Sequence, residues 1–135
     1  MKQTLLPIVA LVLLGSASAF SQEKALKASI ENGQQVYLSN CMSCHMEGGE
    51  GVEGTFPPLV KTEYVTGDVK RLIGIILKGQ TGEITVNGKS YNMEMPAQGH
   101  LSDEEVADVA NYIRNSWGNQ SKKAVTQADV VKLRE

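Results

Sequence analysis

Apolar residues recur at helical spacing in three parts of the chain, and each part has its own start and stop signals. Leu26, Ile30, Gly33 and Tyr37 are spaced four, three and four apart, which predicts a helix from about Glu23 to Ser39. Gly33 is the odd member of this stripe. A glycine inside a helix costs about 1 kcal/mol against alanine, and close approach of another helix would explain it. Val69, Leu72, Ile73, Ile76 and Leu77 predict a second helix over 69–78. Thr66 or Asp68 can cap its start and Gly79 can stop it. Val106, Val109, Ala110 and Ile113 form the apolar face of a third, with Tyr112 and Trp117 as large packing residues. Ser102 and Glu105 have capping-box spacing, the acids 103–105 suit the positive end of the helix dipole, and Gly118-Asn119 ends the helix.

Between the helices the pattern changes. Glu83-Ile84-Thr85-Val86 and Lys89-Ser90-Tyr91 flank Asn87-Gly88, a strong hairpin signal. Residues 47–54 are too glycine-rich for a helix or a steady strand and read as a loop that can bend tightly beside a ligand. Phe56-Pro57-Pro58-Leu59 is stiffer, because proline fixes φ. Residues 120–135 are polar apart from a weak amphipathic run at 128–133, which reads as an extension that packs on the surface or binds a partner. No internal repeat or second domain is visible.

The first 19 residues have a different character. Met1 and Lys2 make a short basic start, 5–14 is apolar apart from Pro7, and small residues lead to an Ala-x-Ala site at 17–19. This is the pattern of a secretory signal peptide cut after Ala19. A ten-residue run of this kind is too short to span a bilayer. The mature part is then 20–135, one small domain with its core at about 29–118 and the extension 119–135. Loss of Lys2 leaves 12 basic against 15 acidic groups, or −3, from the −2 of the whole chain. Such a charge argues against a nucleic-acid partner. With aromatics at 5%, an aliphatic core alone would be thin.

The chemistry concentrates in Cys41-Met42-Ser43-Cys44-His45. The chain has two cysteines and two histidines, and three of those four fall within these five positions. C-x-x-C-H is the spacing of a c-type haem attachment site. Two thiols on one helical turn can each add across a vinyl group of a haem, and the adjacent histidine can donate a ring nitrogen to iron. A redox C-x-x-C would want a thioredoxin-like βαβ context, and structural zinc would want two more ligands where only His100 remains. A buried porphyrin also supplies the apolar body this domain lacks. A carbonyl of the Pro57-Pro58 segment can accept from the outer ring nitrogen of His45 and fix its orientation, or the segment is a plain rigid turn. His100 reads as a solvated turn histidine.

These elements together resemble a class I monohaem cytochrome c, over roughly 29–118: Gly33 and Tyr37 on the first helix, Cys41-x-x-Cys44-His45, Pro57-Pro58-Leu59, Met95-Pro96, and Tyr112 on the last helix. The resemblance implies an all-α fold around one covalent haem c, here with a small β-hairpin insertion. It implies that the first and last helices cross at Gly33 and Tyr112, that Pro57 supplies the carbonyl for His45, and that Met95 is the second iron ligand. Met93 and Met95 face the same side of an extended segment, and Pro96 restricts Met95 toward extended backbone. Met46 departs from the glycine usual in the family after the haem histidine. The hairpin and the Tyr-Ile-Arg-x-Ser-Trp-Gly-Asn ending are similar to cytochrome domains attached to dehydrogenases and copper nitrite reductases.

The expected function is therefore one-electron transfer in the periplasm on a haem c tethered by Cys41 and Cys44 and ligated by His45 and Met95. The chain would be a carrier without catalytic residues of its own, serving periplasmic or membrane oxidoreductases as redox partners. Two other classes are an electron-accepting haem subunit of a dehydrogenase or nitrite reductase, and a gas-binding haem protein with an open iron position.

Overall fold

The computed structural model describes residues 6–134. The signal-peptide reading begins on 1–5, which lie outside the described residues. Among the described residues, six helices and one hairpin follow in the order α1 (Leu6–Asn40), α2 (Met42–His45), α3 (Glu63–Thr66), α4 (Val69–Lys78), β1 (Ile84–Val86), β2 (Lys89–Tyr91), α5 (Asp103–Asn115) and α6 (Gln127–Arg134). The expected start of the first helix near Glu23 is corrected: α1 begins at Leu6. Periodicity marked only the face that packs. The preceding Leu, Val and Ala residues carry no periodic stripe in the sequence, yet no proline after Pro7 separates them from it, and the helix runs through Gly15. Among the described residues, no helix is long and apolar enough to cross a membrane.

α1 and α5 form the main packing pair, and Gly33 is where they touch. A Cβ there would lie 1.9 Å from the carbonyl oxygen of Asp108 and 2.9 Å from Cβ of Tyr112. Only a glycine allows the two backbones this close. Beside the crossing, Ser29 Oγ donates to Asp108 and accepts from Asn111 Nδ2, so the polar groups at the contact are paired. One turn further on, Tyr37 packs on Tyr112 and Trp117, with ring centroids 5.1–5.4 Å apart in tilted and edge-on arrangements.

The local signals hold in detail. Asp68 caps α4 by accepting from Lys70 N, and α5 carries both halves of its capping box, Ser102 with Glu105. The hairpin pairs Ile84 with Tyr91 and Val86 with Lys89, turning through Asn87 and Gly88 at φ 48° and 78°, as a type I′ turn requires. α5 ends at Asn115 rather than at Gly118-Asn119, because Ser116 is extended and Trp117 turns left-handed at φ 54°. That early exit directs the indole back toward Tyr37, where its Nε1 donates to Glu47 O.

The 119–135 extension proves to be part of the core. Val125 and Val130 are buried in the same cluster as Ile73, Val106 and Tyr112. Asn111 holds the incoming segment by accepting from Val125 N and donating to Val125 O.

Candidate functional site

An apolar cleft lies between α2, the proline segment, α4 and the loop after the hairpin. It encloses about 1030 Å³, counting the space at its open mouth. Cys41, Cys44 and His45 line it from α2, Pro57 and Leu59 from the proline segment, and Met93, Met95 and Pro96 from the loop. Leu72, Ile76, Val86 and Ile113 complete the apolar wall. The topology thus brings together every site residue singled out in the sequence: Cys41, Cys44, His45, Pro57 and Met95. His100 is not among the lining residues; it is exposed in a turn, 3.4 Å from Asn40 Oδ1.

α2 is one turn long, and its geometry follows from its place at the end of α1. The amides of Cys44 and His45 both bond back to Cys41 O, so the two thiols and the imidazole sit on a single tight turn. Neither cysteine is in a disulfide. Burial pushes the Cys41 thiol up to about 11, with Cys44 adding to the effect. A redox C-x-x-C needs a readily formed thiolate, so this environment speaks against that chemistry. Among the described residues no group of three or more His, Cys, Asp or Glu side chains is placed to hold a metal ion.

His45 is buried, and its Nδ1 lies 2.9 Å from Pro57 O. A proline carbonyl can only accept, so Nδ1 carries the proton and Nε2 is the free lone pair. Burial also holds the imidazole below its ordinary pKa, against the opposing effect of the Pro57 bond, which favours the neutral ring that a metal needs.

The proline segment is fixed by a residue that the sequence marked only as the end of the last helix. Asn119 is 3% exposed. Its Oδ1 accepts from Lys61 N, and its Nδ2 donates to Leu59 O and Ile113 O, which ties the segment to the end of α5. On the other side, Leu59 N donates to Gly49 O at 2.7 Å. No local signal marks this role of Asn119, since its partners are up to 60 residues away in sequence.

Met46 answers the departure noted in the sequence. It has φ 63° and ψ 165°, a conformation that is essentially reserved for glycine. Tyr37 Oη donates to Met46 O at 2.6 Å and holds the strained turn in place. The methionine therefore keeps the backbone path that a glycine would take, at a cost of about 1–3 kcal/mol.

The two loop methionines differ in support. Met95 N donates to Gln80 O and Met95 O accepts from Gln80 N, a two-bond bridge at 2.9 and 3.0 Å. Gly79 permits this approach: it stops α4 at φ 76°, and a Cβ there would sit 2.4 Å from Met95 O. Met93 lies outside that bridge and is 54% exposed.

Two thiols and a neutral imidazole on one turn, thioether side chains from a distant loop, and an apolar cleft between them fit a haem c. Residues 30–117 match the cytochrome c family along their length. Cytochrome c-552 of Thermus thermophilus is 36% identical over 99% of this chain and 87% of its own. The cytochrome c subunit of alcohol dehydrogenase (quinone) from Gluconobacter oxydans (strain 621H) is 41% identical over 76% of this chain, which spans 22% of that subunit's length. The gluconate 2-dehydrogenase cytochrome c subunit of Pantoea cypripedii is 35% identical over 89% of this chain and 29% of its own. The chain belongs to the cytochrome c family, whose members carry covalent haem c and transfer electrons.

Proposed function

We propose that the protein is a periplasmic electron carrier in which Cys41 and Cys44 bind the haem through thioethers and His45 and Met95 are the iron ligands. When bound, the haem supplies one-electron redox chemistry, which no side chain of this protein performs. The chain's own part is to hold, orient and bury. Pro57 O keeps the His45 tautomer with Nε2 free, and its pull on the Nδ1 proton strengthens the ring as a donor. The Gln80 bridge sets the backbone of Met95, and Leu72, Ile76, Val86 and Ile113 exclude water from the cleft. A thioether ligand in an apolar site favours the reduced state relative to a second histidine, so a positive potential is expected.

The observation that carries this reading is the pairing of a His45 fixed by Pro57 with a Met95 fixed by Gln80 in one cleft. With His45 and Met95 both serving as ligands, the iron would have no site left for a substrate or a gas, and the protein would carry electrons without a reaction of its own. Export fits the same picture, since haem attachment of this type takes place outside the bacterial inner membrane. The carrier reading is tested by adding carbon monoxide to the reduced protein. A filled sixth position predicts no prompt spectral change, and an immediate shift would move the protein to the gas-binding class.

A second reading has specific support. The 41% identity to a dehydrogenase's cytochrome c subunit favours a role as the electron-accepting haem subunit of such an enzyme. Copurification of untagged protein from its own periplasm separates the two: a stoichiometric dehydrogenase partner supports the subunit, and an unaccompanied chain supports the free carrier.

A further inference from the structure

The last helix reaches back to the methionine loop through one side chain. Arg134 Nη1 donates to Gly99 O at 2.9 Å, Nη2 donates to Leu101 O, and Nε pairs with the Asp103 carboxylate. Gly99 and Leu101 belong to the turn that carries the chain from Met95-Pro96 into α5, and Asp103 is the first residue of α5. Within that turn, Gln98 N donates to Ile76 O and Leu101 N to Gln98 O. The segment is thus held at its entry by Gln80, at its middle by α4, and at its exit by Arg134. The guanidinium suits the exit. Its planar fork meets two carbonyls and a carboxylate at once, where a lysine would act as a point charge. α6 itself is anchored independently, through the buried Val130.

We propose that Arg134 is a positioning residue for the iron ligand: α6 uses it to clamp the exit of the methionine loop, so that Met95 stays on the metal. The clamp rests on the reading of Met95 as that ligand. It gives the C-terminal extension a role in the redox site that it does not touch. Losing the charged hydrogen bonds would raise the population in which the loop has opened, by roughly tenfold or more, while the cysteines and His45 keep the haem in place.

The test is the rate of carbon monoxide binding to the reduced holoprotein, read beside the near-infrared sulfur-to-iron band of the oxidised form and the unfolding midpoint. Arg134→Gln should bind carbon monoxide roughly tenfold faster than the wild type. Arg134→Lys, which keeps the charge beside Asp103 and loses the fork, should fall between them and serves if the first variant folds poorly. Gly33→Val, which loosens the α1–α5 crossing and touches neither α6 nor the turn, should lower the midpoint and leave the rate near that of the wild type. Wild-type rates in both arginine variants, or equal acceleration in Gly33→Val, would overturn the clamp and leave the Met95 reading intact. A wild-type protein that lacks the band and binds carbon monoxide at once would overturn the Met95 reading, and the clamp with it.

Discussion

The two sides of the cleft are built by different means. The histidine side is local: 41–59 is one continuous stretch, with bonds from His45 and Cys44 to Cys41, from Gly51 to His45 and from Leu59 to Gly49. It rests on the Tyr37, Tyr112 and Trp117 cluster and on the α1–α5 crossing. The methionine side is assembled from distant parts: Gln80 and Gly79 at the end of α4, Ile76, and Arg134 from the last helix. The bonds within 41–59 need no long loop closure, because their partners are close in sequence, and Asn119 and Trp117 add ties to the end of α5. The methionine side depends on several remote anchors, and each is a place where it can be loosened. The histidine side should therefore fail only with the fold, and the methionine side can let go while the fold persists.

The largest effect should come from removing the tether. In a Cys41→Ala/Cys44→Ala variant, acidified acetone should extract the haem, whereas the wild type should retain it and show the intact mass of residues 20–135 plus one haem. Variant protein that has lost its haem should also lose its cooperative unfolding, since the haem fills the apolar centre of so small a domain.

Gly33→Val comes next. The added side chain would meet the Asp108 carbonyl, and the backbones would have to part, costing about 3 kcal/mol. Thermal or denaturant unfolding should show that loss, with the sulfur-to-iron band unchanged in the folded protein. An unchanged midpoint would mean that the crossing tolerates bulk at this point.

Gly79→Ala acts on the opposite side. It places a Cβ against Met95 O at a positive φ, so a destabilisation of about 1–2 kcal/mol is expected. Here the band should weaken, and it is this split between the two glycines that separates the sides. Loss of stability with an intact band in both variants would erase the distinction.

Met46→Gly is the smallest change and the one with the opposite sign. Relief of the strained turn should exceed the added chain entropy and stabilise the protein by about 1 kcal/mol. A fall in the unfolding midpoint would show that the Met46 side chain contributes more than its backbone costs.

The same division governs what was legible in the sequence. Cys41-x-x-Cys44-His45, the Asn87-Gly88 turn and the Ser102/Glu105 box are short-range patterns, because their physics is complete within a few residues. Gly33 was conspicuous as a glycine in a helical stripe, and its partner followed from the family resemblance. α3 escaped because four residues give no period to read. Asn119, Arg134 and the reversal at Trp117 escaped because an asparagine, an arginine or a tryptophan has no local mark that says which distant carbonyl it will meet. The extension was legible as weakly amphipathic, but a single buried valine face gives no indication that its last turn reaches the methionine loop.

The central claim is that His45 and Met95 together hold the iron of a haem c. The near-infrared spectrum of the oxidised protein tests it most directly, measured for the wild type, Met95→Ala and Met93→Ala. The account predicts a sulfur-to-iron band in the wild type and in Met93→Ala, and none in Met95→Ala, whose potential should also fall. A band that survives in Met95→Ala and disappears in Met93→Ala would contradict it and place the ligand on the exposed methionine.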